Sequence, residues 1–135
     1  MDKSRLDLAV YRLEKSAECI ETAKSDLENG FYSASVNRSY YAIFHSARAI
    51  MALDGEDRKR HTGVISYFQE HYIKTKIFDI ELSDIIQDAF NMRQISDYMD
   101  FFVVSLQDVK EQLEGAEIFY KAVSEYITDK TKNER

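Results

Sequence analysis

Apolar side chains recur at three- and four-residue steps along most of this chain. That is the period of an amphipathic helix, not the alternation of a strand. Leu6, Val10, Leu13, Ala17, Ile20, Ala23 and Leu27 mark a first helix. Ser4 with Asp7 resembles a capping box at its start, and Gly30 fits a left-handed cap after its end. A second helix spans residues 32–53, with Val36, Tyr40, Ile43, Ala47 and Ile50 as its core stripe. Residues 54–60 form a charged loop, and a shorter third helix follows over 62–72, with Val64, Ile65, Phe68 and Tyr72 apolar. Leu82, Ile85, Ile86, Ala89, Phe90 and Arg93 belong to a fourth helix. Residues 97–102 read as a junction or a kinked continuation of it. Val103, Leu106, Val109, Leu113, Ala116, Tyr120, Val123 and Ile127 define the fifth.

Proline is absent, and glycine stands only at 30, 55, 63 and 115, so little interrupts these segments. Short connections between long helices predict an all-α fold, an antiparallel bundle of about five helices. The expected domain covers residues 1–127, and the polar residues 128–135 are expected to fray.

Length and charge narrow the possibilities. A chain of 135 residues suits one domain with a self-sufficient core. No apolar run approaches the ~20 residues that cross a bilayer, so no membrane association is expected. The first residues lead into the amphipathic pattern without the apolar core of a signal peptide. The lone Cys19 excludes an intrachain disulfide, suits a reducing, cytoplasmic setting, and reads as a core thiol. The net charge is -6. Residues 1–75 carry 11 basic and 11 acidic side chains, while 76–135 carry 7 and 13, so the second part holds the excess. That sign opposes unspecific binding to phosphate backbones. A nucleic-acid contact therefore needs a local patch, and the Arg58-Lys59-Arg60-His61 run offers one.

Three constellations could carry chemistry. Arg38, Tyr41, His45 and Arg48 fall on one face of the second helix. A planar guanidinium suits phosphate, a phenol ring stacks on a base, and a neutral imidazole accepts a proton. The same spacing also suits a buried ladder in which the arginines pair with acids of another helix. Lys59, Arg60 and His61 precede a helix start, where free N–H groups favour an anion, or they form a solvated loop balanced by Glu56 and Asp57. Arg93 with Asp97 and Tyr98 is the third group. Its residues could meet a phosphate, or Arg93 and Asp97 could be a plain helical ion pair. The three histidines are scattered, so neither a metal site nor a cofactor is expected. The Phe101-Phe102-Val103-Val104 run suggests packing or a dimer contact.

The string Tyr40-Tyr41-Ala42-x-Phe44-His45-x-Ala47-Arg48, then His61-x-Gly63-Val64-Ile65-Ser66, then Arg93 with Asp97 and Tyr98, resembles the HEPN family in its small stand-alone prokaryotic form. The resemblance covers almost the whole chain. It implies a helical domain that binds nucleotide or RNA, acts as a homodimer, and pairs with a minimal nucleotidyltransferase in a toxin–antitoxin-like system. Many members are metal-independent ribonucleases with an arginine followed, four to six residues later, by a histidine. Here Tyr98 fills that slot, and a phenol with a pKa near ~10 is a poor base at neutral pH. Tyr98 is also a candidate acceptor of a nucleotidyl group.

Three readings follow. A binding module would use Arg38, Tyr41, His45, Lys59, Arg60, His61, Arg93 and Asp97. A ribonuclease would use Arg93 for the phosphorane, with His45 or Tyr98 moving protons. A structural adaptor would bury each arginine with its own carboxylate. Convergence of Arg38, His45 and Arg93 on one open cleft favours the first two.

Overall fold

Asp2, not Ser4, begins the first helix. The computed structural model describes residues 2–133. Helix α1 spans Lys3–Glu28, and the Asp2 carboxylate accepts from the Ser4 N–H at 2.9 Å and from the Ser4 hydroxyl at 2.8 Å. A carboxylate at that place meets the free N–H groups and the positive end of the helix dipole together, so it displaces the expected Ser4–Asp7 box. Gly30, at φ +79°, supplies the left-handed turn that leads into the next helix.

Helix α2 spans Tyr32–Asp54, and α3 spans His61–Phe68. The third segment was expected to be α-helical to residue 72; instead a π-helical turn, Gln69–Ile73, continues α3. Within this turn Tyr72 meets three neighbours. Its hydroxyl donates to Asp54 Oδ2 at 2.5 Å, beside that of Tyr67 at 2.8 Å, and its ring packs on Phe78 and Tyr126.

Helix α4 spans Ile80–Tyr98, which puts Asp97 and Tyr98 in its last turn and not in a junction. Helix α5 spans Leu106–Asn133. Its start lies three residues beyond the expected Val103, because Ser105 and Asp108 cap one another: Asp108 N–H donates to Ser105 Oγ at 3.1 Å, and Ser105 N–H to Asp108 Oδ2 at 3.5 Å. The helix continues past Ile127 through residues expected to fray; positions 134 and 135 of that tail lie outside the described residues. Among the described residues there is no strand, and no helix is long and apolar enough to cross a membrane. The molecule is an all-α helical bundle.

Helix α2 is the central element and packs on α1, α3, α4 and α5. Against α1 it runs antiparallel. Ser35 Oγ donates to the Ala23 carbonyl at 2.8 Å, Ser16 Oγ to the Ala42 carbonyl at 2.6 Å, and Arg12 Nη1 to the Arg48 carbonyl at 2.9 Å. Ala9, Ser16, Ala23, Ser35, Ser39, Ala42, Ser46 and Ala49 are all buried along this seam, and their small volume allows the close approach. On the other side, Phe119 of α5 is fully buried with its ring 4.9 Å from that of Phe68.

Phe119→Ala would leave a cavity between α3 and α5 that neighbouring rings cannot fill. The expected loss is about 3–5 kcal/mol of unfolding free energy, read as a lower urea midpoint with an unchanged far-ultraviolet spectrum in the absence of denaturant.

Candidate functional site

Because α2 is covered on most of its circumference, only a narrow stripe of it reaches the surface. Asn37, Arg38, Tyr41, His45 and Arg48 are half-buried, while Ser39, Tyr40, Ala42, Ile43, Phe44, Ser46 and Ala47 between them are buried. The helical period places every polar side chain of the stripe on this open edge. Helix α1 flanks the edge with Arg12 and Lys15. Helix α4 contributes Arg93, and the first residue of α3 contributes His61.

Tyr41 lies at the centre. The guanidinium carbons of Arg38 and Arg93 each stand 5.2 Å from its ring centroid, so two cations attend one π-system. Arg93 also lies 5.2 Å from the Tyr40 ring. Arg93 reaches Asp97 at 3.4 Å, but its Nε has no aligned hydrogen-bond partner. Arg38 donates to Asn37 Oδ1 at 2.8 Å and meets no carboxylate among the described residues. Arg48 donates to Asp57 Oδ1 at 2.8 Å, and Arg12 approaches the same oxygen at 3.6 Å.

The two histidines of this region differ. His61 stacks 4.4 Å from Phe44, and its Nδ1 lies 2.5 Å from the Tyr40 hydroxyl. Burial pushes the Tyr40 phenol well above its ordinary value, with Arg93 pulling the other way. Burial and then Arg93 push the His61 imidazole down. With the phenol proton retained and the ring neutral, the pair shares one hydrogen bond: Tyr40 donates when the imidazole proton sits on Nε2 and accepts when it sits on Nδ1. His45 is more strongly affected: burial, then Lys15, Arg48, Arg38 and Arg12, push it down to about 4. Its Nδ1 is buried without a partner. Near neutral pH both rings are therefore uncharged, and the positive charge of the face belongs to arginine and lysine.

The fold thus brings Arg38, Tyr41, His45, His61, Arg93 and Asp97 to one face. Lys59 and Arg60 lie exposed in the preceding loop, their side chains without a hydrogen bond or ion pair among the described residues. Tyr98 is 75% exposed at the end of α4 and makes no hydrogen bond or ring contact with the cluster. Cys19 is buried, and burial pushes its thiol up, as suits a core position. Arg12 and Lys15 were missed as site residues. Their three-residue spacing beside the apolar stripe of α1 was the available signal. Among the described residues, no three His, Cys, Asp or Glu side chains gather as a metal site would need.

Comparison with known proteins gives the same family throughout. The family profile described as "HEPN domain" matches residues 9–126. A UPF0332 protein of Thermotoga maritima is 30% identical over 119 residues, covering 88% of this chain and 90% of its own. Two Methanocaldococcus jannaschii proteins are each named "Putative toxin". One is 29% identical over 118 residues (87% of this chain, 80% of its own), the other 32% over 120 residues (89% and 83%).

The electrostatics of His45 can be read in solution. Its folded ring binds a proton more weakly than the unfolded ring, whose ordinary value is 6.5, so the unfolded chain takes up the extra proton as pH falls. Stability is full above 6.5 and declines from there towards about 4. Urea unfolding across that window should show a smaller decline in His45→Gln than in the wild type, with His61 sustaining the remainder.

Proposed function

The chain belongs to the HEPN domain family, and from that premise we propose that it is a toxin-like protein that binds RNA or a nucleotide on the Tyr41 face. The observation that carries this reading is the pair of guanidiniums attending one tyrosine. Arg38 and Arg93 flank a half-buried ring, and their carboxylate neutralisation is incomplete, in a chain whose net charge is -6. An acidic protein holding so many cations on one edge offers a local phosphate site against a repelling background. A base stacked on Tyr41 would place its phosphates within reach of the two forks. An adaptor that buries each arginine with its own acid accounts only partly for Arg48, which shares Asp57 with Arg12, and for Arg93, and leaves Arg38 without an acid among the described residues.

A second reading, metal-independent RNA cleavage, is favoured by one contact. His61 comes to Arg93 through Tyr40, although 31 residues separate the two in sequence. In this scheme the 2′-oxygen attacks the adjacent phosphorus, the bond to the 5′-oxygen breaks, and a cyclic phosphate and a free 5′-hydroxyl result. A neutral imidazole takes the 2′-proton, an acid returns one to the leaving oxygen, and Arg93 holds the phosphorane charge. His61 fits the proton transfer better than Tyr98, whose phenol is exposed and weakly basic.

The active form is a homodimer. Met99, Phe101 and Val103, which are 59, 102 and 83% exposed, form an apolar ridge where α4 leads into α5, and a second copy covers it. The partner is a minimal nucleotidyltransferase, and Tyr98, at the edge of that ridge, is the acceptor. Its phenolic oxygen attacks the α-phosphorus of a nucleoside triphosphate, pyrophosphate leaves, and the phenol proton passes to solvent.

Binding is tested with fluorescein-labelled single-stranded RNA, and affinity should fall about tenfold or more in Arg38→Ala and in Arg93→Ala. Cleavage is tested in excess EDTA. Product from the wild type that disappears in Arg93→Ala and His61→Gln establishes the ribonuclease; binding without product leaves the binding module. For the dimer, sedimentation should show two copies for the wild type and one for Phe101→Asp.

A further inference from the structure

We infer that Arg12, Lys15 and Arg48 form a second phosphate subsite at the other end of the α2 stripe, occupied in this state by the carboxylate of Asp57. The subsite rests on the RNA- or nucleotide-binding reading for the face as a whole, but it stands on different residues. Arg48 lies ten positions beyond Arg38 on α2, about 15 Å along the helix axis.

Arg12 is a fixed wall of the subsite. Its side chain is almost wholly buried, and Nη1 is held by the Arg48 carbonyl, so Nη2 is aimed outward, 3.6 Å from Asp57. Arg48 reaches the same carboxylate oxygen from the second helix, while its own Nε is buried without a partner. Lys15 stands one turn along α1 with its ammonium over the Tyr11 ring at 5.2 Å. His45, between Lys15 and Arg48 along the seam, keeps a buried and unpartnered Nδ1. Two guanidiniums share a single carboxylate, and Lys15 stands one turn from Arg12 on α1, where its charge acts on His45. The subsite therefore carries more positive charge and more donors than Asp57 can satisfy.

Asp57 is suited to leave. It belongs to the irregular loop between α2 and α3, its side chain is 54% exposed, and it is anchored only through these contacts and its backbone. The Arg48 hydrogen bond holds its carboxyl below the usual carboxylate range, as expected of an anion seated on cations. Only the carboxylate side of this ion pair is exposed, and its exchange for a phosphate keeps both guanidiniums paired, with greater charge and extra acceptors. The occupant is a phosphate group, supplied either by the backbone of RNA or by a free nucleotide.

The test uses the full chain with two probes, a labelled single-stranded RNA 12-mer and ATP, titrated at ~50 and ~200 mM salt. The variants are Asp57→Asn and Lys15→Gln, beside Arg38→Ala. If the inference holds, Asp57→Asn binds RNA about three- to fivefold tighter, the gain expected from removing an anion that competes for the same two guanidiniums. Lys15→Gln binds more weakly, with a salt slope smaller by about 1. A gain seen with RNA alone assigns the subsite to backbone phosphate; a gain also seen with ATP assigns it to free nucleotide as well. Unchanged or weaker binding in Asp57→Asn, with Lys15→Gln like the wild type, overturns the subsite even where Arg38→Ala abolishes binding. Conversely, wild-type affinity in Arg38→Ala, with the expected changes in the other two variants, removes the Tyr41 reading and keeps the subsite.

Discussion

The close seam between α1 and α2 governs the rest of the molecule. Serine and alanine at the crossing positions let the two backbones approach until serine hydroxyls on one helix donate to main-chain carbonyls on the other. Once α1 occupies one side of α2, and α3, α4 and α5 take most of the remainder, a polar side chain on α2 has a single exit. Arg38, Tyr41, His45 and Arg48 share it because the helical period and the packing leave nothing else. The site is thus a consequence of how tightly the central helix is enclosed. Substituting Ser16 or Ala42 by a large residue would part the seam and move Arg12 relative to Arg48, though neither small residue touches a ligand.

Burial and charge then set the chemistry. A guanidinium keeps its proton under any reachable condition, whereas an imidazole beside several cations gives its proton up. The face therefore sorts its groups: the arginines and Lys15 stay charged, and His45 and His61 are neutral. Fixed positive charge suits an anion, and neutral imidazole suits proton acceptance. The low proton affinity of His45 also makes it a poor base, so the two histidines are not equivalent. His61 is held through Nδ1 by the Tyr40 hydroxyl, which leaves Nε2 outside that bond. With Nδ1–H donating to Tyr40, Nε2 is the nitrogen able to take a proton from a ribose hydroxyl.

Much of the fold was legible because apolar periodicity is a property of the chain taken a few residues at a time. The helices, the left-handed turn at Gly30 and the face shared by Arg38, Tyr41, His45 and Arg48 all follow from local spacing. The misplacements were also local. Ser4-x-x-Asp7 and Ser105-x-x-Asp108 have the same form, yet only the second is a cap. The difference is the neighbouring Asp2, which competes for the first helix end and wins by its charge. The π turn answers to Asp54, Phe78 and Tyr126, residues that meet Tyr72 only after folding. Arg12 and Lys15 gain their place at the site only once α2 is laid beside them.

The contact between His61 and the Arg93 region is the clearest case of information that spacing cannot carry. A motif on one helix states which side chains can share a face of that helix. It says nothing about side chains delivered to that face from elsewhere. The last turn of α4 carries a tyrosine at 98 in place of an imidazole, and the first residue of α3 brings one beside the same arginine by way of Tyr40. What a catalytic constellation needs is groups of the right kind within reach of one phosphate, irrespective of the segment that supplies them. In the proposed cleavage reading, the departure at Tyr98 changes the direction from which an imidazole meets Arg93. An imidazole entering over Tyr40 approaches Arg93 from the α2 side, where Arg38 and Tyr41 would hold the base and phosphate. A residue at 98 would approach from the exposed end of α4. Ligand orientation on this face is the property by which the two arrangements differ.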